Sequence, residues 1–322
     1  MIKLLHAADL HLDSPLATCG VDARQRRAEL RNTARRIFEL ARQETVDMLL
    51  LAGDLFDNDS PFLGTVELLK ELCGSAGVPV FISPGNHDWY SEGSPYASTG
   101  WPENVHIFKK PEMEQVRLDG LGCSVWSCAF TSPWRDDRPL QGFSVPRGED
   151  VNIVLLHGEV TASASRYGAV LPGEIASCGA DYTALGHVHS FSGMRTEGGC
   201  CYAWPGCPEG RGFDETGDKG VIIAHVDNGR TDTRFVRTAS RRYFDLKADA
   251  GGSALPVEKL NSVLSETEEG DICRVELTGS SPGIDLETLK LAMGDRGRLL
   301  RLRDSTVPGD ERWERSDEDT LR

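Results

Sequence analysis

The sequence has no feature of a secreted or membrane-embedded protein. Its nine cysteines form no Cys-x-x-Cys pair, and an odd number does not fit a complete disulfide framework. No apolar run approaches the roughly 20 residues that cross a bilayer. Asp9 and Asp13 interrupt the apolar N-terminus, which therefore does not resemble a signal peptide. We expect a cytoplasmic protein with reduced thiols and no membrane partner.

Basic residues are also scarce. The 322-residue chain has 35 lysines and arginines against 50 aspartates and glutamates, a net charge of -15. This balance argues against a protein that coats DNA through a general basic surface. It is compatible with a few arginines beside a metal site, because acidic ligands add negative charge that two divalent cations would partly offset. The length suffices for one large domain and a small one.

Short apolar runs recur along the chain with the length and composition of buried strands. They cover residues 2–9, 46–54, 78–87, 151–158 and 181–189. Helical patterns over residues 22–44 and 63–73 separate the first three runs, which predicts parallel strands joined by right-handed crossovers. The first helical pattern repeats apolar residues at helix spacing, as in Leu30, Ala34 and Ile37.

Other segments have the pattern of antiparallel strands. Three closely spaced runs lie between residues 105 and 130, and the last two are separated by the turn residues Asp119 and Gly120. The turn Asp227-Asn228-Gly229 predicts a hairpin between the runs that flank it. The fold class that we expect is therefore mixed α/β, with two packed sheets flanked by helices.

A second, smaller domain is predicted after a change of composition at residues 248–253. Helix and strand patterns then alternate, at 257–265, 272–277, 286–293 and 299–303, as in a small α/β unit. We expect a main domain over residues 1–245, a small α/β capping domain over 246–308 and a charged tail over 309–322.

Five short polar motifs stand at the carboxyl ends of five predicted strands. They are Asp9-Leu10-His11, Gly53-Asp54-Leu55-Phe56-Asp57, Gly85-Asn86-His87-Asp88, His157-Gly158-Glu159 and Gly186-His187-Val188-His189. The carboxyl ends of strands form one edge of an open α/β sheet, so these residues are expected to converge. Carboxylate, imidazole and amide groups together suit Mn²⁺, Fe²⁺ or Zn²⁺.

Two such ions about 4 Å apart can hold the attacking hydroxide and the phosphoryl oxygens of an in-line displacement. A pair of this kind needs one carboxylate that reaches both ions, and Asp54, in the middle of the series, is the candidate. Each motif alone has a simpler interpretation as a turn, a capped loop or a surface histidine pair. All five in order, each at a strand end, favour the metal site. His6, His106 and His225 lack this context and are interpreted as structural.

The five motifs, in this order, resemble the calcineurin-like metallophosphoesterase family over roughly residues 1–240. The resemblance implies one ion held by Asp9, His11, Asp54 and His189, and a second held by Asp54, Asn86, His157 and His187. It implies Mn²⁺ as the first choice of metal, with Fe²⁺ or Zn²⁺ as alternatives. It also implies that His87 is catalytic, protonating the leaving oxygen or stabilising phosphoryl charge, and that Asp57 orients His87 through a hydrogen bond.

Several segments are similar to one branch of that family, the SbcD-type DNA repair exonucleases. Asp57 is followed by Asn58, and the arginine typical of the family's protein phosphatases is missing. Residues 7–12, 53–57 and 204–215, with Lys219-Gly220, carry the likeness. The resemblance implies a DNA exonuclease with a capping domain. DNA is the expected partner, and a coiled-coil ATPase subunit of the SbcC type is a second candidate, although the sequence ends soon after the small domain. A second copy of the chain, in a homodimer, is a third candidate partner.

Arginines supply the candidate DNA contacts. At 100° per residue, one face of the first helical pattern carries Arg24, Arg27, Arg31, Arg35 and Arg42. We predict that Arg24, Arg27, Arg31 and Arg211 bind substrate. An ordinary solvated helix face is the competing interpretation of the stripe.

Two other functions stay open. A small-molecule phosphodiesterase or phosphatase would use the same ligands but would not need a capping domain. A scaffold without catalysis would be expected to lack ligands, and no ligand of the set is missing.

Overall fold

The computed structural model describes residues 1–16, 22–98, 100–146, 148, 150–251, 256–281 and 283–307. The chain divides into two compact units. The first contains Met1–Leu16, Ala23–Glu209 and Asp218–Ala239, and the second contains Gly210–Gly217 and the described residues from Ser240 onward. The predicted tail over 309–322 lies outside the described residues.

Strands and helices alternate in the first half of the chain, and strands dominate the middle. The strands are β1 (Ile2–Ala7), β2 (Met48–Leu51), β3 (Val80–Ile82), β4 (Val105–Ile107), β5 (Glu114–Leu118), β6 (Cys123–Ser127), β7 (Val151–His157), β8 (Tyr182–Gly186), β9 (Arg195–Glu197), β10 (Cys200–Ala203), β11 (Gly220–Asp227), β12 (Arg230–Arg237), β13 (Tyr243–Asp249), β14 (Ile272–Thr278) and β15 (Leu300–Asp304). The helices are α1 (Ala23–Gln43), α2 (Leu63–Gly74), α3 (Pro172–Cys178), α4 (Pro256–Val263) and α5 (Leu286–Ala292).

The first unit is built on two six-stranded sheets, as the sequence predicts for a mixed α/β fold. The strand orders are β12-β11-β1-β2-β3-β4 and β5-β6-β7-β8-β10-β9. One apolar core joins the inner faces of the two sheets, with Leu4 and Leu50 from the first sheet and Ile153 and Leu155 from the second. Burial of this apolar surface is the main stabilising contribution, at about 25 cal/mol per Å².

Helix α1 follows the amphipathic pattern seen in the sequence. Its buried residues include Leu30, Ala34, Ile37 and Phe38, while the arginine-bearing side is more exposed. The hairpin predicted around Asp227-Asn228-Gly229 is present as β11 and β12, which pair in antiparallel register from Gly220↔Arg237 to Asp227↔Arg230.

The segment between residues 105 and 130 differs from its prediction. Strand β4 pairs in parallel with β3 in the first sheet, and only β5 and β6 form the expected antiparallel pair, at the edge of the second sheet. The turn at Asp119-Gly120 fixes the β5–β6 pairing locally. Strand β4 has no such turn beside it, so its three residues do not reveal from sequence which strand they join.

The second unit contains a three-stranded parallel sheet in the order β13-β14-β15. Leu260 from α4 and Leu289 from α5 pack with Val275 and Leu277 of β14 in its core. Strand β13 was not predicted, and the predicted boundary after residue 245 cuts through it. The division falls at Ser240 instead, because β13 pairs with β14 along its whole length.

Two further observations concern the described part of the chain. Its eight cysteines are all free thiols. Among its helices, none has the length and apolar character needed to cross a membrane.

Candidate metal centre

The site lies where five strands end. Asp9 and His11 follow β1, Asp54 follows β2, and His157 is the last residue of β7. Asp9, His11, Asp54 and His187 have the left-handed backbone conformation that is strained for residues other than glycine, with φ of 54°, 43°, 50° and 95°. Such strain persists only where surrounding contacts enforce it, and it is frequent at functional sites.

Neighbouring loops enforce the positions of the first two motifs. The backbone N–H of Asp9 donates to Gly53 O at 3.0 Å, and that of His11 donates to Asp54 O at 2.9 Å. Glycine is required where loops pass most closely. A Cβ at Gly85 would lie 2.2 Å from Asp54 Oδ1, and one at Gly186 would lie 1.8 Å from Ala52 O.

A first cluster of ligand atoms comes from Asp9, His11 and His189, whose ligand atoms all lie within 4.8 Å of one another. His11 Nε2 and His189 Nε2 are 3.1 Å apart, and His189 Nε2 is 3.9 Å from Asp9 Oδ1. His11 Nδ1 donates to Asp57 Oδ1 at 3.1 Å. This bond leaves the lone pair of His11 on Nε2, facing His189, as in metal-binding histidines held by a carboxylate.

A second cluster comes from Asp54, His157 and His187. His157 Nδ1 donates to the carbonyl oxygen of Ala52 at 2.8 Å, so a neutral imidazole keeps its lone pair on Nε2. That Nε2 lies 3.0 Å from Asn86 Oδ1, which is also 3.2 Å from His187 Nδ1. When His157 is neutral and His187 has its lone pair on Nδ1, acceptor atoms face one another, and a cation between them would satisfy all three.

Asp54 stands between the two clusters. Its Oδ2 lies 3.3 Å from His157 Nε2 and 3.9 Å from His11 Nε2. Its Oδ1 accepts a hydrogen bond from the backbone N–H of His87 at 2.9 Å. The Asp54 side chain is 1% exposed, so the carboxylate is held in one position between the clusters.

The charges at the site are strongly coupled. Burial by itself would raise the pKa of Asp54, but His157 and then His11 hold that pKa well below its usual range. Burial would lower the pKa of His157, yet Asp54 raises it to about 9. Burial raises the pKa of Asp9 to about 6, with His157 and His189 opposing the shift. Burial, followed by His157, lowers the pKa of His187 to about 3.

These groups fit divalent cations. The donor set is made of carboxylate, imidazole and amide atoms, which suits Mn²⁺, Fe²⁺ or Zn²⁺. The Asp54 carboxylate of the second cluster also lies 3.9 Å from His11 Nε2 of the first, and the imidazoles, when neutral, present lone pairs to the same space. The seven residues that the sequence analysis selected as ligands therefore all lie together.

His87 is exposed, and with His11 and Asp57 it forms a third group whose possible ligand atoms lie within 4.8 Å of one another. Its ring meets the ring of His11 edge-on, with centroids 4.9 Å apart. His87 Nδ1 donates to the main-chain oxygen of Asp57 at 3.0 Å, which leaves Nε2 to carry the other lone pair or proton. The hydrogen bond between Asp57 and His87 is made by the main-chain oxygen of Asp57. The carboxylate of Asp57 accepts from His11 Nδ1 instead.

Two of the predicted substrate-binding arginines are held in ion pairs with carboxylates of the protein. Arg31 Nη2 is 2.7 Å from Asp13 Oδ1, and Arg211 is paired with Glu215 in the second unit. Arg27 Nη1 donates to Pro15 O at 3.4 Å, and Arg24 is exposed on α1. Spacing on a helix wheel could not reveal that Arg31 has a carboxylate partner from another loop.

Asp88 is a positioning residue that the sequence analysis did not assign, although it belongs to one of the five motifs. Its Oδ1 accepts from the backbone N–H groups of Gly85 at 2.8 Å and Asp54 at 3.2 Å. Its Oδ2 accepts from those of Leu55 at 2.7 Å and Phe56 at 3.1 Å. The fully buried carboxylate thus holds the loop that carries Asp54 against the loop that carries Asn86 and His87.

Lys219 has a related role at the other end of the site. Its side chain is buried, and its Nζ donates to the carbonyl oxygen of His189 at 2.8 Å. The backbone N–H of Cys207 donates to the same oxygen at 3.3 Å. The available signal was the Lys219-Gly220 dipeptide, which carried the likeness to SbcD-type nucleases without indicating what the lysine contacts.

The model of the calcineurin-like phosphoesterase family matches residues 2–191, the part of the chain that holds every ligand described above. The chain belongs to this family. Both clusters of this metallophosphoesterase lie within the residues that the family model covers.

Curated relatives include an uncharacterized metallophosphoesterase, a DNA repair protein and a nuclease subunit. The chain is 33% identical to the uncharacterized metallophosphoesterase YhaO of Bacillus subtilis (strain 168), over 73% of this chain and 60% of the relative. It is 25% identical to the DNA double-strand break repair protein Mre11 of Methanopyrus kandleri, over 71% and 55%. One subunit of the nuclease SbcCD of Bacillus subtilis is 25% identical over 37% and 30%. The chain thus spans somewhat more than half the length of the first two relatives.

Proposed function

We propose that this metallophosphoesterase is a two-metal phosphodiesterase that hydrolyses DNA. Within this class, we propose that it is an exonuclease that acts in DNA repair. The observation that carries the proposal is the position of Asp54. Its carboxylate lies between one cluster of ligand atoms that contains His11 and another that contains His157. A shared carboxylate of this kind is what two ions in one phosphoesterase site require.

Each ion has a defined set of ligands in this proposal. Asp9, His11, Asp54 and His189 would hold one, and Asp54, Asn86, His157 and His187 would hold the other. When bound, the ions supply Lewis acidity towards the phosphoryl oxygens and lower the pKa of a water that attacks phosphorus. Asp54 raises the pKa of His157, and binding of a cation at Nε2 would require this imidazole to be neutral.

The side chains outside the ligand sets do the remaining work. His87 is exposed at the rim, and its Nε2 gives a proton to the leaving oxygen while Nδ1 donates to the carbonyl of Asp57. Asp57 also keeps His11 in the tautomer that presents Nε2 to the site. Asp88 and Lys219 hold the loops of Asp54 and His189 in place.

DNA is proposed as the substrate because two of the relatives bear the names of a DNA repair protein and a nuclease. A coiled-coil ATPase subunit of the SbcC type is proposed as a partner because one relative is named as a subunit of the nuclease SbcCD. A second copy of this chain is proposed as an alternative partner. The residues near 246–308 are proposed as a cap that shapes access to the site. A small-molecule phosphodiesterase is the second candidate, favoured by the net charge of -15 and by the ion pairs that engage Arg31 and Arg211.

A matrix of metals and substrates tests the proposal. The purified chain is stripped of metal and then assayed with Mn²⁺, Fe²⁺, Zn²⁺ and Mg²⁺ on single-stranded DNA, double-stranded DNA and bis(p-nitrophenyl) phosphate. We expect kcat/KM for DNA to exceed that for the small diester. Asp54→Asn should lose activity on all substrates, while Asp59→Asn, an exposed carboxylate in the same loop, serves as the matched control.

The outcomes separate the candidates. Cleavage of the small diester with no cleavage of DNA would reject the nuclease and leave the second candidate. Full activity in Asp54→Asn would reject the two-metal site itself.

A further inference from the structure

An aromatic side chain covers one of the metal-ligand candidates. The ring of Tyr167 stacks on the ring of His187, with centroids 5.0 Å apart and planes inclined by 28°. Tyr167 is nevertheless 43% exposed. The tyrosine therefore lies between the second ligand cluster and the solvent, with aromatic surface still available to a ligand.

A second exposed aromatic residue lies on the adjoining segment. Trp134 is 50% exposed, and the guanidinium of Arg166 lies over its ring, 4.8 Å from the ring centre. The backbone N–H of Arg135 donates to Arg166 O at 2.9 Å, and Arg135 pairs with Tyr167 in an isolated bridge. We call the set Trp134, Arg166 and Tyr167 the aromatic ledge.

The aromatic ledge is fixed relative to the ligands by backbone contacts. A Cβ at Gly158 would lie 2.3 Å from Gly168 O, so the residue after Tyr167 passes directly against the residue after His157. The ring of Phe130 meets the ring of His157 edge-on at 5.6 Å and lies against Gly168 on its other side. Because these backbone contacts fix the positions of the rings, less conformational entropy is lost when a ligand stacks on them.

The chemistry of the aromatic ledge suits an aromatic ligand that is joined to a phosphate. Stacking on tyrosine and tryptophan is tolerant of base identity, because every nucleobase has a π-face. The arginine adds cation–π attraction, and its Nε lies 3.7 Å from Asp136 Oδ1 in an exposed ion pair for which a phosphate can compete. A phosphate held at the cluster of Asp54, His157 and His187 would place the attached nucleoside beside Tyr167.

We propose that the aromatic ledge is the subsite for the nucleobase next to the scissile phosphate, an inference that rests on the proposed DNA hydrolysis. Tyr167 stacks on the base, Trp134 extends the stacking surface, and Arg166 attracts the neighbouring backbone. The subsite favours an unpaired base, because a base within a duplex has both faces covered by its neighbours. Cleavage at frayed or single-stranded ends follows from this preference.

The test compares matched oligonucleotides on matched proteins. A single-stranded oligonucleotide carries either a normal nucleotide or an abasic analogue next to the cleaved bond, and kcat/KM is measured for each with Mn²⁺. For the wild-type chain we expect a ratio of about 10 in favour of the base, the equivalent of about 1.4 kcal/mol of stacking. Tyr167→Ala should bring the ratio close to 1. Tyr167→Phe, which keeps the ring and removes the hydroxyl, should preserve it.

A binding measurement without metal supplies an independent readout. With EDTA present, an oligonucleotide carrying 2-aminopurine at the same position should be quenched by the wild-type chain and by Tyr167→Phe, and much less by Tyr167→Ala. Metal content, measured separately, shows whether His187 still binds in each variant. Equal base-to-abasic ratios in the wild type and Tyr167→Ala would overturn the subsite while leaving DNA hydrolysis intact. A wild-type chain that cleaves neither oligonucleotide would overturn the proposed function, and the subsite with it.

Discussion

His87 differs from the other histidines of the site in its exposure and in its contacts. The ligand candidates His11 and His157 are buried, and each has one ring nitrogen occupied by Asp57 or by a backbone carbonyl. His87 uses the same device, with Nδ1 on the Asp57 carbonyl, but its other nitrogen is at the solvent-facing rim. A group in that position can exchange protons with water between turnovers.

The variant His87→Ala should retain its metal and lose activity. The imidazole belongs neither to the cluster of Asp9, His11 and His189 nor to that of Asp54, His157 and His187, although it lies with His11 and Asp57 in a third group of possible ligand atoms. A general acid typically contributes about 10²–10⁴-fold to the rate. Metal content by mass spectrometry and kcat on DNA are the two measurements. Loss of one ion from the variant would show that His87 is a ligand and that its assigned role is wrong.

At the scale of secondary-structure elements, the site depends on how the loops after β2 and β3 are joined. Asp54 has a left-handed backbone conformation, with φ of 50°. The carboxylate of Asp88 holds that conformation by accepting four backbone N–H groups, from Gly85, Asp54, Leu55 and Phe56. Both of its oxygens are needed as acceptors.

Asp88→Asn should therefore weaken both stability and metal binding. An amide nitrogen would face backbone donors that it cannot accept from, at a cost of about 1–3 kcal/mol for each buried donor left unsatisfied. Urea unfolding without metal and Mn²⁺ titration would measure the two effects, with Asp59→Asn as the exposed control. A variant with unchanged stability would mean that Asp88 does not hold the loop.

The elements that carry ligands were the ones most visible in the sequence. Strands β7 and β8 are buried along their length and end in ligand motifs, so an apolar run and its polar end both marked them. The pairing of β4 was wrong, because its three residues are too few to indicate a partner strand. Strand β13 was not predicted, because its charged and apolar residues alternate and the sequence before it carries no clear domain boundary. Contacts between distant loops, such as Lys219 with His189, follow from the tertiary fold and leave no local pattern.

At the scale of the whole molecule, His6 links the two sheets of the first unit. It lies on β1 of the first sheet, and its Nδ1 is 2.9 Å from the hydroxyl of Tyr182 on β8 of the second. Its Nε2 is 3.1 Å from Leu185 O, also on β8. The side chain is fully buried, and burial lowers the pKa of His6 to about 3.

This lowered pKa predicts a specific loss of stability in acid. Above pH 6.5, His6 is neutral in the folded and unfolded states and contributes no pH dependence. Below it, the unfolded chain takes up a proton that the folded chain does not, so stability falls as pH decreases towards 3. Between pH 7 and pH 5 the loss is about 2 kcal/mol. Because His187, His157 and Asp9 also have shifted pKa values, the measured quantity is the difference in unfolding free energy between wild type and His6→Gln with EDTA present. That difference should change by about 2 kcal/mol between pH 7 and pH 5. Parallel pH curves would show that His6 does not link folding to protonation.

The central claim is that one carboxylate, that of Asp54, joins two metal ions in a single site. Titration of the metal-free chain with Mn²⁺, followed by electron paramagnetic resonance, tests it most directly, because two Mn²⁺ ions bridged by a carboxylate are magnetically coupled. We predict two ions per chain, a coupled spectrum, and loss of the coupling in Asp54→Asn. A single ion per chain, or two ions whose spectrum is uncoupled and unchanged by the substitution, would contradict the account.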